Sequence, residues 1–271
     1  MDLPLLDPKI DIVFKMLLTD DDSESILVAL LNAIIQSSQP IIRAKVLNPQ
    51  LPKRFIDDKG TILDILAELD TGEQVNIEMQ MANQGETRSR ALYHWARIYG
   101  SQLKRGKANS YRDLKPVHSI FILNYLEFKE LDPRLHHTFH IAHADHPHLV
   151  LPDLRLHFIE LDFVMKLNNM EFLKKMKLAL WAKFLLNPAD TSLWEEDMAD
   201  AELRKAREKL EKISASAEKR EIARMREKAA LDWNSSHEYW KEQGRQEGFE
   251  HGRDAGRQEG FEHGRDAGRQ E

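Results

Sequence analysis

Asp64 and Glu78 are two acids fourteen residues apart, and the turn sequence Asp70-Thr71-Gly72 falls midway between them. The run before the turn, Ile62-Leu63-Asp64-Ile65-Leu66-Ala67-Glu68-Leu69, and the run after it, Val75-Asn76-Ile77-Glu78-Met79-Gln80, are rich in β-branched and apolar residues. Such runs suit strands. Asp70 to Gly72 reads as a three-residue hairpin loop with Gly where a left-handed conformation is needed. Leu69 then faces Glu73, and counting back along the ladder sets Asp64 opposite Glu78. Side chains alternate with period two, so Asn76, Glu78 and Gln80 share a face. Two carboxylates this close repel unless a cation or a proton lies between them. As hard oxygen ligands they suit Mg²⁺ or Mn²⁺. An ion held there would polarise a phosphoryl oxygen and lower the pKa of a bound water, both of which phosphodiester hydrolysis needs. Gln80 would orient the attacking water. A competing reading sets both acids on the solvent face of an ordinary amphipathic hairpin. Asp64 weighs against it, because Ile62, Leu63, Ile65 and Leu66 surround a position where solubility asks for no acid.

The elements that must position these residues follow from periodicity. Pro8 precedes a short helix over Lys9 to Leu18, and Asp20-Asp21-Asp22-Ser23 should cap a second helix, Glu24 to Ile35. Strands are predicted over Ile41–Leu47, 62–69, 74–81 and Val117–Leu126, with weaker ones over His136–His143 and Leu154–Leu161. Between the hairpin and Val117 lies a predicted helix, Glu86 to Arg105, with Leu92, Trp95, Tyr99 and Leu103 as its apolar stripe. Its other side carries Arg90, His94, Arg97 and Lys104 at steps of four, three and seven. From Asn83 to Lys115 eight basic residues stand against two acids, a local charge of +6 in a chain of net charge -6. Such a stripe would hold DNA phosphates beside the acidic hairpin without reading sequence. The alternative for each of these residues is a solvated helix face.

Composition narrows the class. A chain of 271 residues can form one or two domains. The lack of cysteine excludes disulfides and thiolate zinc sites. With no signal-peptide pattern and no apolar run long enough for a bilayer, a soluble, cytoplasmic protein is expected. Six histidines between His136 and His148 lack the converging acids of a metal site and fit a polar edge strand and turn. From about Asn169 the chain reads as helical, with a long helix from about Asp190 to Trp240. The last 28 residues repeat a twelve-residue unit, GRQEGFEHGRDA, that places Gly at every fourth position. Each Gly costs a helix about 1 kcal/mol, so a stable lone helix is not expected there. The tail is either an assembly element or a solvated extension.

Taken together, Ile62-Leu63-Asp64 … Asn76-Ile77-Glu78-Met79-Gln80, Asp11-Ile12-Val13-Phe14-Lys15, Arg90-Ala91-Leu92-Tyr93-His94-Trp95-Ala96-Arg97, Leu114-Lys115-Pro116-Val117 and the glycine-spaced tail resemble one family. They are similar to the recombination-promoting nucleases or transposase-like proteins (the Rpn family) of the PD-(D/E)xK nuclease superfamily. The resemblance implies an α/β, restriction-endonuclease-like mixed sheet flanked by helices. It divides the chain into a nuclease core over 1–165, a helical extension over 166–240 and the repeat tail over 241–271. It also implies Mg²⁺-dependent DNA cleavage in recombination, transposition or defence against foreign DNA. Asp64 and Glu78 would hold the metal, Gln80 would occupy the superfamily lysine position, and Asp11 would be the additional acid that helps hold metal in some members. Leu63 stands where the superfamily has proline. Homo-oligomers through the C-terminal helices would be its partners besides DNA. The alternative is an inactive relative that binds DNA or itself.

Overall fold

The computed structural model describes residues 4–47, 65–83, 85–103, 110–165, 175–195 and 199–267. Hydrophobic patterning accounts for the first layer. In α1 (Asp11–Thr19), Val13, Phe14, Leu17 and Leu18 recur on one side and are buried. In α2 (Glu24–Ile35), Ile26, Leu27, Leu30, Leu31 and Ile34 do the same, and Gln36 ends the helix in a left-handed conformation. The acids before α2 are not its cap: Ser23 makes no side-chain capping bond. Asp20 and Asp22 instead take the buried ammonium of Lys209 from far along the chain, so tertiary charge pairing overrides the local capping pattern.

Six strands form one mixed sheet: β1 (Ala44–Val46), β2 (Ile65–Leu69), β3 (Gln74–Gln80), β4 (Val117–Leu123), β5 (His136–Ala142) and β6 (Val150–Glu160). Their order is β1-β2-β3-β4-β6-β5. The central three, β3, β4 and β6, run parallel, and the three remaining pairings, β1–β2, β2–β3 and β5–β6, are antiparallel. Every residue of β4 is buried, as expected for a parallel strand covered on both faces. The hairpin turns as its sequence requires. Gly72 adopts φ +82°, its N–H reaches the Leu69 carbonyl at 2.9 Å, and the Leu69 N–H reaches the Glu73 carbonyl at 2.9 Å. The ladder pairs Ile65 with Ile77, Leu66 with Asn76, Ala67 with Val75 and Glu68 with Gln74. Asp64, Ile62 and Leu63 lie outside the described residues.

The faces of the sheet are covered differently. Ile65, Ala67, Val75, Ile77, Ile120, Ile122 and Ile159 pack against α1, α2, α5 (Lys177–Leu186) and α6 (Ala201–Ala215) in the main core. α5 and α6 therefore share the core with α1 and α2. The second face holds Phe121, Leu123, Leu154, Leu156 and Phe158 beneath α3 (Thr87–Ser101). α3 buries Thr87, Ala91, His94 and Ile98 against the sheet; of the predicted stripe, Trp95 packs partly buried at the edge of this contact, and Leu92 is half-exposed. Small and polar residues suit this contact because bulky Phe121 and the polar Asn76 and Glu78 rise from the strands below.

A short helix, α4 (Asp162–Met165), follows β6, and α7 runs over Ala217–Ala267, so its helical backbone continues through the glycine-spaced units. The predicted single helix up to Trp240 is broken at Ser216, an extended residue. The chain divides into two compact units, Met1–Ala223 and Arg224–Glu271. Among the described residues, no helix is long and apolar enough to cross a membrane.

Candidate nuclease centre

β3 alternates apolar and polar residues, and the polar set faces α3 rather than water. Asn76, Glu78 and Ser119 are all buried, and Glu78 is only 1% exposed. A buried carboxylate must find donors or a counter-ion. Asn76 donates its amide to one Glu78 oxygen at 3.4 Å, and Gln80 donates to the other at 3.4 Å. The Ser119 hydroxyl, from the neighbouring β4, donates to the Asn76 carbonyl oxygen and fixes that amide. From α3, the Arg90 guanidinium lies 3.5 Å from Glu78 Oε2. His94 Nδ1 lies against Glu78 Oε1. Neither His94 ring nitrogen makes a well-directed hydrogen bond, although the ring is fully buried beside Phe121.

The residues picked out in the sequence are thus partly assembled. Glu78, Gln80, Arg90 and His94 meet at one place. His94 is turned inward and does not suit a phosphate contact; it packs on the carboxylate. The basic stripe divides accordingly, with Arg90 partly and Arg97 fully at the surface. Asp11 opens α1, whose apolar side packs on the sheet face opposite Glu78, and its carboxylate accepts from the Ile12 N–H at 2.7 Å. Lys104 and Asp64 lie outside the described residues.

Asn76 and Ser119 were missed as members of the centre. Asn76 was visible on the polar face of β3, but Ser119 joins only through the parallel pairing of strands 43 residues apart.

Whether this centre suits a divalent ion depends on its donors. The carboxylate and amide oxygens are hard ligands fit for Mg²⁺ or Mn²⁺. Glu78's hydrogen-bond donors among the described residues are side chains at 3.4 Å, long enough to yield to an ion. No three His, Asp or Glu side chains gather into a metal-holding group among the described residues. To hold such an ion, Glu78 would need a further acid beside it.

The histidines form a separate feature on the opposite face. His118 Nδ1 meets His157 Nε2 at 3.0 Å, and His157 Nδ1 meets His136 Nε2 at 3.0 Å. His157 spends a different nitrogen on each neighbour, so the three rings form a chain and cannot chelate one ion. They line a cavity of about 440 Å³ with Glu73 and Arg155. Burial, followed by the neighbouring cations, pushes His157 well below the usual histidine range and His136 down to about 4. The His118 hydrogen bond holds Glu73 below its ordinary value. The chain draws on three strands, β4, β6 and β5, and only His136 belongs to the cluster visible in the sequence.

A family description, PD-(D/E)XK nuclease family transposase, matches residues 8–239. The comparisons with curated proteins and with solved structures returned no match.

Proposed function

The chain belongs to the PD-(D/E)XK nuclease family transposases, and from that premise we propose that it is a metal-dependent DNA endonuclease acting in recombination, transposition or defence against foreign DNA. The observation that carries this reading is Glu78, a carboxylate buried on a central strand and held by side chains alone. In this reading Glu78 and Asp64, the acid that the sequence sets on the other side of the Asp70–Gly72 turn, would hold the ion. Charge favours the pairing. Glu78, Asp64 and a substrate phosphate together offset one divalent cation and Arg90. Bound Mg²⁺ or Mn²⁺ supplies Lewis-acid activation of the phosphoryl group and of a water.

The protein's own residues do the rest. The Asn76–Ser119 pair keeps the Glu78 carboxylate oriented, and His94 packs it from the helix side. Arg90, partly open to solvent, offers a cation to the phosphate in place of the superfamily lysine. Gln80 donates to Glu78 with its amide N–H, which leaves its carbonyl oxygen to orient the attacking water. Arg97, one turn beyond His94 on the surface, draws the DNA backbone toward the centre.

The test is plasmid cleavage by purified protein in Mg²⁺ or Mn²⁺, with wild type beside Asp64→Ala. Metal-dependent nicking that disappears in the variant is expected. Cutting that persists in Asp64→Ala, or wild-type protein that binds DNA and never cuts it, overturns the proposal.

A further inference from the structure

One flank of α3 carries, between two cations of the proposed centre, an aromatic ring that the centre does not use. Arg90, Tyr93 and Arg97 follow each other at steps of three and four and so lie along one side of the helix. Arg90 begins the row at Glu78, 3.5 Å from its carboxylate. Tyr93 comes next, a residue 51% exposed. The Arg97 guanidinium lies over that ring, 5.7 Å from its centroid. The row spans seven residues, about 10 Å of helix.

The opposite flank provides the contrast. Trp95 and Tyr99 stack on each other at 5.1 Å, and both hydrogen-bond to Asp153. Those rings are committed to the fold. Tyr93 has no hydrogen bond of this kind among the described residues, and half of its surface faces water.

We propose that this cation–ring–cation row takes up unpaired DNA bases beside the Glu78 centre, so that the preferred substrate has single-stranded character at the cut. The proposal rests on the nuclease reading for its location. Its content comes from Tyr93. In a duplex the flat face of each base is hidden in the stack, and a protein ring alongside finds only edges, sugars and phosphates. An exposed aromatic ring next to phosphate-binding cations is matched by bases that have left the stack, and any base serves because each has a π-face. Arg97 adds to this, since a guanidinium on one ring face reinforces a stacked platform. In sequence, segment 83–115 carries a net charge of +6 in an otherwise acidic chain, which favours attraction of a polyanionic strand to this part of the protein.

Binding is measured first, without divalent ion so that nothing is cut. A fluorescent single-stranded oligonucleotide and the same sequence fully paired are titrated with wild type, Tyr93→Ala and Tyr93→Phe. Wild type should bind the single strand about tenfold more tightly than the duplex. Tyr93→Ala should weaken single-strand binding about tenfold and duplex binding much less, and Tyr93→Phe should restore the difference. A 2-aminopurine in the single strand should be quenched by wild type and not by Tyr93→Ala. Circular dichroism checks that Tyr93→Ala is folded, which its half-exposed position favours. Equal wild-type affinity for both DNAs, or equal weakening of both by Tyr93→Ala, overturns the inference.

Cleavage of a forked duplex and a blunt one in Mg²⁺ then separates the two proposals. Efficient cutting without preference for the fork sinks the single-strand inference alone. Preserved binding preference with no cutting sinks the nuclease reading alone.

Discussion

Two glutamates of this protein are buried to the same 1% exposure on the same face of the sheet, and their surroundings differ. Glu160, at the end of β6, accepts two backbone N–H groups, from Glu127 at 2.8 Å and Phe128 at 2.9 Å. His137 lies 3.6 Å from its other oxygen. Glu78, two strands away, has amide side chains at 3.4 Å, a guanidinium at 3.5 Å and the packed His94 ring. Short backbone donors are fixed by the fold and make Glu160 a clamp that holds the segment after β4 against β6. Long side-chain donors can turn aside, which in the proposed reading would let Glu78 exchange them for an ion. Burial of an acid therefore does not mark a reactive centre by itself; the kind of donor around it does.

The largest effect that tests this contrast is on cleavage. Glu78→Gln should lower the DNA-cutting rate by about a thousandfold or more, the scale at which loss of preorganised electrostatic stabilisation is felt. Glu160→Gln should retain cutting, within a few-fold, at temperatures where it is folded. Rates measured on the same plasmid decide it, and comparable losses in the two variants would erase the distinction.

Stability should show the reverse order. Glu160→Gln keeps an oxygen for the two backbone N–H groups but removes the charge that strengthens those bonds and faces His137, and should cost about 1–3 kcal/mol in urea unfolding. Glu78→Gln without divalent ion should stay within about 1 kcal/mol of wild type, because removing a weakly paired buried charge also removes its desolvation cost. Mg²⁺ at a hundredfold excess over its Kd should stabilise wild type and Glu160→Gln by about 2.7 kcal/mol and leave Glu78→Gln unmoved. Stabilisation of Glu78→Gln by Mg²⁺ would place the ion elsewhere.

The smallest effect extends the contrast to the opposite face, where the buried polar groups are the histidine chain. His157 and His136 have folded-state pKa values below those of the unfolded chain, His136 at about 4. Between about pH 6.5 and 4 the unfolded chain takes up protons that the folded one refuses. Stability should thus be intact near neutrality and fall as pH drops through that window, by about 1.4 kcal/mol per pH unit for each such histidine. Glu73, held low by His118, adds its own loss only below about pH 4.5. Urea melts at pH 7 and pH 5 on wild type and His157→Gln check this, the variant giving the shallower slope. Equal slopes would remove the chain from the acid response.

Much of the fold was legible from local pattern. The turn at Asp70–Gly72 and the β2–β3 register follow from period-two alternation and one glycine with positive φ, both local properties. The apolar run at Val117 announced a buried strand for the same reason. The inner side of α3 was only partly foreseen: the aromatic stripe led by Trp95 packs at the edge of the contact, while Ala91, His94 and Ile98 are the residues buried against the sheet. Helical periodicity locates stripes but does not say which stripe the partner surface accepts. The tail was misjudged in the other direction, since glycine spacing argued against the helix that runs to Ala267.

By itself, the sequence determined which residues could do chemistry together: an acid and two amides at alternate positions of one strand, a second acid across a turn, and cations on the helix that follows. The tertiary structure alone decided that Glu78 is buried, that His94 and Ser119 belong to its surroundings, and that Glu160 is spent on backbone donors. The physical reason is range. Register and turn geometry are set by neighbours in sequence. Burial and donor supply are set by whatever covers a face, and here they come from a crossover helix, a strand 43 residues away and a loop 32 to 33 residues away.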